Sequence, residues 1–270
     1  MVRPLILICN DDGVYAPGIK HLWQAVQSVV EAVVVAPLVE QSATSLSISI
    51  RQPLRLEKIG WPLLHTEVWS VNGTPADCIK LALNVVLPRT PDLILSGINR
   101  GTNAGRNVLY SGTIAAVIEG VMHQIPGIAF SVHDYSDPNY SEIEQMVPLI
   151  VDYVLKHPLP SGTFLNVNFP PRKHGEIKGV RFARQGKEYW RENPEVRYHP
   201  FESEPYYWLG AKIATYTEDE DSDIAWLNKG YATAVPIHVG DLTHAEHFQD
   251  QKHAFDKFIN QSAIPAKKRC

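Results

Sequence analysis

Short runs that are apolar at every position alternate along this chain with stretches whose apolar residues recur three and four apart. Pro4-Leu5-Ile6-Leu7-Ile8-Cys9 is of the first kind and predicts a parallel strand buried on both faces. Residues 18–30 are of the second kind, with Ile19, Leu22, Trp23, Val26, Val29 and Val30 on one helical stripe. Ala32–Ala36 predicts the next buried strand, which completes a βαβ unit. The alternation then repeats. Thr74 and Pro75 open a helix as N-cap and first-turn residue, with Asp77 favouring its dipole. A strand is predicted at 93–95, a helix from Thr113 to about His123, a strand at 127–132, a helix at 141–156 and a strand at 164–169. Such alternation implies an α/β fold built on a doubly wound, mostly parallel, Rossmann-like sheet, here assigned to residues 1–175 as the catalytic core.

After Pro170-Pro171 the texture changes. Residues 177–240 carry short β-like stretches, an acidic run from Glu218 to Asp221 and many aromatics, among them Tyr189, Trp190, Tyr198, Phe201, Tyr206, Tyr207, Trp208 and Tyr216. Hairpin spacing predicts a C-terminal antiparallel β-hairpin extension that returns strands to the core. Aromatics exposed on such an arm point to a subunit contact; the alternative is an edge hairpin packed on its own domain. Residues 176–270 are therefore read as an oligomerisation arm with a closing helix from His244 to Phe258 and a loose tail over 259–270.

The chemistry collects where the predicted strands end. Asp11 and Asp12 directly follow the first strand, at the edge where open α/β sheets bind ligands. Asp12-Gly13 is also a hairpin signal, but Ala16-Pro17-Gly18 and a helical stripe follow in place of a second strand. Adjacent carboxylates repel, so a pair in such a crevice points to a cation. Ser96-Gly97-Ile98-Asn99-Arg100-Gly101-Thr102-Asn103-Ala104-Gly105 is predicted as a loop after strand 93–95, opening on the same edge. Asn99 offers a neutral oxygen to a cation or an amide to an anion, and the glycines permit close backbone approach. Ser111, Gly112 and Thr113 precede an apolar helix, where hydroxyls and free amides cradle anions as well as cap the helix. Ser42 follows the second strand on this edge.

Bulk properties narrow the partners. A net charge of −4 and a pI near 6.3 argue against polynucleotide binding as the main task but leave mononucleotides open. Cys9, Cys78 and Cys270 lack metal-ligand or redox spacing; Cys9 and Cys78 fit buried positions and Cys270 an exposed one. Three free thiols suit a reducing, cytoplasmic compartment, and the first apolar run is too short for a signal peptide or a membrane span.

Asn10–Ile19, Ser96–Gly105 and Tyr110–Ala116 together resemble the stationary-phase survival protein SurE family. Asn72–Cys78, Leu165–Pro170, Gly230-Tyr231 and Pro236–His238 are similar to further family segments, so the resemblance covers most of the chain. It implies a metal-dependent 5′/3′-nucleotidase, with possible action on short polyphosphate. It also implies that Asp11, Asp12, Ser42 and Asn99 are ligands of one divalent cation per subunit, and that Ser111, Gly112 and Thr113 form the phosphate-binding turn, which Asn99 and Gly105 adjoin. Family members are dimers or tetramers with exchanged C-terminal segments, the implied state here. All-oxygen ligands favour Mg²⁺ or Mn²⁺.

The resulting expectation is a catalytic group of Asp11, Asp12 and Asn99. The cation acts as Lewis acid and orients a water, and one of the aspartates serves as base or nucleophile. Other classes fit less well. A dinucleotide module wants Gly-x-Gly-x-x-Gly after the first strand, where this chain has Asn10-Asp11-Asp12-Gly13. An aspartyl-phosphate enzyme would show Asp-x-Asp. A His-Pro-Asp-Asp deacetylase would need His where Cys9 stands. The non-enzymatic alternative is a metal-organised nucleotide-binding scaffold without turnover.

Overall fold

The computed structural model of the chain describes residues 3–61, 66–210 and 212–263; Cys270 lies outside them. In chain order the elements are β1 (Leu5–Cys9), α1 (Pro17–Val26), β2 (Glu31–Pro37), β3 (Leu56–Ile59), β4 (Glu67–Val71), α2 (Pro75–Leu81), β5 (Leu93–Arg100), α3 (Gly112–Met122), β6 (Gly127–Val132), α4 (Tyr140–Lys156) and β7 (Thr163–Phe169). There follow β8 (Val180–Phe182), β9 (Tyr189–Arg191), β10 (Glu195–Tyr198), β11 (Pro205–Trp208), β12 (Lys212–Ala214), α5 (Asp223–Asn228), β13 (Ala232–His238) and α6 (Ala245–Ala263).

Nine strands form the central sheet in the order β3-β4-β2-β1-β5-β6-β7-β13-β8. β4, β2, β1, β5, β6 and β7 run parallel, as the unbroken apolar runs imply; β3 and β13 are antiparallel to their neighbours β4 and β7. Alternate residues of β1 feed two different cores. Ile6 and Ile8 face Ile19, Leu22, Trp23 and Val26 of α1 and Val147 and Val151 of α4. Leu5, Leu7 and Cys9 face Cys78 and Ile79 of α2 and Val117 and Val121 of α3. The chain leaves β1 for β2 on one side and later returns to β5 on the other. The crevice at the carboxyl ends of β1 and β5 is thus the switch point where such sheets bind ligands.

Three local expectations need correction, and two strands went unpredicted. Helix α1 ends at Val26 rather than at residue 30, because Val29 lies exposed outside the apolar stripe. The presumed loop after residue 95 is strand as far as Arg100, with an irregular register against β6 between Ser96 and Asn99. Gly97 makes this possible: its φ is +128°, and a Cβ there would stand 2.2 Å from the Phe130 carbonyl oxygen. β3 and β4 lack a clear sequence signal, since their positions are mixed in burial at the sheet margin. The closing helix runs on to Ala263, so the described part of the tail is helical; residues 264–270 lie outside the described residues.

The segment after residue 175 divides. β8 and β13 join the central sheet, whereas β9–β12 and β10–β11 form two separate antiparallel pairs. Tyr198, Phe201, Tyr206, Tyr207 and Trp208 are exposed on the β10–β11 hairpin, as the aromatic pattern predicts for an arm. No helix among the described residues is long and apolar enough to cross a membrane.

Candidate active site

Where β1 ends, the chain turns on itself. Asn10 Nδ2 donates to the Gly13 carbonyl at 2.9 Å, Gly13 takes φ +100°, and Val14 N–H donates to Pro37 O at 2.8 Å. This turn delivers Asp11 and Asp12 to the switch point. Asp11 is 3% exposed, and its Oδ1 accepts the Thr113 hydroxyl at 2.5 Å. Burial, opposed by the Thr113 bond and reinforced by the charge of Asp12, pushes the Asp11 carboxyl up to about 7. Asp12 is half-buried and also raised, chiefly by burial, with Arg100 opposing and Glu40 adding to the rise. Its Oδ2 accepts the Arg100 backbone N–H at 3.2 Å. No ion pair among the described residues includes either aspartate.

A cavity of about 300 Å³ opens against Asp11. The strand end of β5 contributes Asn99 and Arg100, and the segment after β2 contributes Glu40 and Ser42. Asn99 Nδ2 donates to Gly101 O at 2.8 Å, so its amide oxygen is the group left for a ligand. Ser42 is exposed, and its hydroxyl donates to Glu40 Oε1 at 2.6 Å. The backbone ties this segment in place, with Gln41 N–H on Asp11 O at 2.7 Å. Among buried polar atoms without a partner in the described residues, Asn10 Oδ1, Ser96 Oγ and Arg100 Nε all belong to these two strand ends.

Helix α3 closes the opposite wall. Ser111 is its N-cap, accepting Ile114 N–H at 3.2 Å, and Ala115 N–H donates to Ser111 O at 3.1 Å. Of the first-turn donors, that of Thr113 bonds the Asp11 carboxylate and that of Gly112 stands beside it at the positive end of the helix. A Cβ on Gly112 would stand 2.7 Å from Asp11 Cβ and 3.0 Å from its Oδ2. Only glycine lets the helix terminus approach the carboxylate this closely. The start of α3 and the Asp11 carboxylate are therefore in direct contact, which sequence alone could only infer.

Gly105 stands elsewhere. Its N–H donates to Asp223 Oδ2 at 2.9 Å, its carbonyl accepts Gln185 Nε2 at 2.9 Å, and it does not line the cavity. It anchors the site loop to the C-terminal arm. Burial raises the Asp223 carboxyl, while the N–H groups of Gly105, Gly186 and Ile224 lower it. Next to this anchor, Trp190 N–H donates to Asn107 Oδ1 at 2.8 Å, and Trp190 lines the cavity with Tyr110 and Tyr135. Glu40, Arg100, Tyr135 and Trp190 escaped the sequence reading. Arg100 and Glu40 sit one and two residues from Asn99 and Ser42 and were reachable from them; nothing in the pattern distinguished Trp190 from the other arm aromatics.

The residues present fit a hard divalent cation. Two adjacent carboxylates that enter no ion pair among the described residues, with neutral oxygens on Asn99 and Ser42, are an all-oxygen choice of donors. Among the described residues no cluster of three His, Cys, Asp or Glu side chains provides a rival site.

A family model described as "Survival protein SurE" matches residues 6–192, from the first strand through the last cavity residue of the arm. The chain belongs to the SurE family. It is 61% identical over 258 residues to a protein of Protochlamydia amoebophila named 5′-nucleotidase SurE, covering 96% of this chain and 99% of the relative. A protein of the same name from Flavobacterium psychrophilum is 40% identical over 245 residues, covering 90% and 95% of the two chains. The crystal structure of the SurE protein from Aquifex aeolicus superposes with a TM-score of 0.80 at 37% identity, covering 94% of this chain and all of that one. The SurE-family match thus embraces both halves of the crevice and reaches just past Trp190.

Proposed function

We propose that this chain is a divalent-cation-dependent phosphomonoesterase that hydrolyses nucleoside 5′- and 3′-monophosphates, with short-chain polyphosphate as a further substrate. The observation that carries the reading is the contact between Asp11, one of two adjacent carboxylates, and the helix terminus, with Asp11 Oδ1 on the Thr113 hydroxyl at 2.5 Å. The names of the relatives support the nucleotidase assignment. Asp11, Asp12, Asn99 and Ser42 would hold one Mg²⁺ or Mn²⁺ ion per subunit. Bound there, it would supply Lewis-acid neutralisation of a phosphate oxygen.

The side chains do the rest. The N–H of Gly112 and the hydroxyl of Ser111 hold phosphoryl oxygens at the positive end of α3, and Thr113, bonded to Asp11, ties this turn to the carboxylate. Asn99 positions the phosphate from the opposite strand end. One carboxylate of the pair accepts a proton from the attacking water as the bond from phosphorus to the nucleoside oxygen breaks. The same carboxylate returns that proton to the leaving nucleoside oxygen, so that nucleoside and inorganic phosphate are the products and the carboxylate is regenerated. The two buried free thiols, Cys9 and Cys78, suit a reducing cytoplasm, and the exposed aromatic hairpin suits a homo-oligomer with exchanged C-terminal segments.

The test is phosphate release from a panel of 5′- and 3′-nucleoside monophosphates and tripolyphosphate, after EDTA stripping and after adding back Mg²⁺, Mn²⁺ or Zn²⁺. Release that returns only with added metal is expected. Folded protein that releases phosphate from no nucleotide with any metal would overturn the reading.

A further inference from the structure

The cavity carries an aromatic surface that phosphate and metal chemistry does not use. Trp190 is 44% exposed, yet it belongs to a short strand whose backbone is fixed on both sides. Its N–H is held by Asn107 Oδ1 at 2.8 Å, and β9 pairs with β12 through Trp190 and Ile213. One turn of chain away, the Glu188 carbonyl accepts Arg106 N–H at 2.8 Å, which ties the same strand to the loop leading into α3. The backbone that carries a large apolar side chain is thus fixed at the wall of the cavity.

The other aromatics of this wall differ from it. Tyr135 already carries the Arg100 guanidinium, 5.3 Å from its ring centroid. Tyr110 directly precedes the phosphate-binding turn. Trp190 makes no ring stack and no cation–π contact among the described residues. The nearby amides each spend one atom within the protein: Asn103 Nδ2 donates to Ser131 Oγ at 2.8 Å, and Asn107 Oδ1 holds Trp190 itself. Trp190 is the cavity residue with a large apolar surface and no aromatic or cationic partner among the described residues.

We infer that Trp190 is the nucleobase platform of this site, a specificity-determining residue that selects base-bearing phosphomonoesters over bare sugar phosphates by stacking, with tolerance for the identity of the base. The inference rests on the nucleotidase reading above and adds to it the part of the substrate that the cation and the helix terminus do not touch. Every base has a π-face, so stacking gives affinity without base readout. Because the platform is pre-positioned by backbone bonds, little ordering is needed when the substrate arrives.

The test compares kcat/KM for adenosine 5′-monophosphate and ribose 5-phosphate in the wild type, Trp190→Ala and Trp190→Phe, each with Mn²⁺. In Trp190→Ala the preference for the nucleotide over the sugar phosphate falls roughly 5- to 150-fold, the range expected for one stacked base, and Trp190→Phe restores most of it. An unchanged preference, whether both activities fall together or neither does, overturns the platform. A second readout needs no turnover. Adenosine 5′-monophosphate quenches tryptophan fluorescence of the wild type excited at the indole band, and this quenching is absent in Trp190→Ala; no quenching in the wild type overturns the platform. Wild-type protein inactive on both substrates with every metal would sink the nucleotidase reading instead, while the fluorescence titration still decides the platform.

Discussion

Replacing Asp11 with Asn is expected to stabilise the metal-free protein at pH 8 and to leave it nearly unchanged at pH 4. The carboxyl is enclosed beneath α3 and raised from 3.8 to about 7, mainly by burial. Below pH 4 the acid is protonated in both the folded and the unfolded chain and costs nothing. Between pH 4 and 7 the unfolded chain releases the proton while the folded one retains it, so stability falls as pH rises. Above 7 both are ionised and the cost levels off. At 1.36 kcal/mol per pH unit, the displacement amounts to about 4 kcal/mol. An amide at this position keeps an acceptor for the Thr113 hydroxyl and carries no charge, so it escapes the cost. The assay is urea unfolding of both proteins in EDTA at pH 4.5, 6 and 8. The two stabilities should diverge as pH rises, reaching a midpoint difference of roughly 8–16 °C in parallel thermal melts at pH 8. Curves that stay parallel across this range would refute the reasoning, because they would show that folding does not enclose an ionising Asp11.

Other variants probe the rest of the site. Adding Mg²⁺ or Mn²⁺ to the wild type at pH 8 should raise its stability by about 2.7 kcal/mol at a hundredfold excess over Kd, measured by thermal shift; Asp12→Ala should lose most of that increment. Asp12→Ala should also lower kcat by at least about 10²-fold with the circular dichroism spectrum intact, comparable to removing a charge-stabilising group from other active sites. Gly112→Ala places a Cβ 2.7 Å from Asp11 Cβ and should cost about 1–3 kcal/mol in unfolding experiments while depressing turnover. Asp223→Ala leaves the N–H groups of Gly105, Gly186 and Ile224 without their carboxylate, for a loss on the order of 3 kcal/mol. Its KM for a nucleotide should rise too, because the loop that holds Trp190 loses its anchor.

The sequence by itself determined the layered sheet and the place of its chemistry. Unbroken apolar runs such as Leu5–Cys9 specify strands covered on both faces, and the three-four spacing of Ile19, Leu22, Trp23 and Val26 specifies the helix that covers one of them. Thr74, Asp77 and Ser111 announced helix starts, and the structure caps α2 and α3 with those side chains. These signals are local: each is carried by residues within one or two turns of chain. What only the tertiary structure decided depends on residues far apart in sequence. The strand character of Ser96–Arg100 depends on β6 accepting an irregular register. The edge strand β3 and its neighbour β4 take their form from pairing at the sheet margin, not from an apolar pattern of their own. The raised carboxyl of Asp11 arises from burial under a helix that starts about a hundred residues later. The separation of Gly105 from the cavity and the arrival of Trp190 in it follow from hydrogen bonds to Asp223 and Asn107 across 118 and 83 residues. Composition could mark Trp190 as one aromatic among many on the arm; only the folded chain brings it to the wall of the site, because a strand pairing and a backbone-to-amide bond fix its position and no local pattern encodes either.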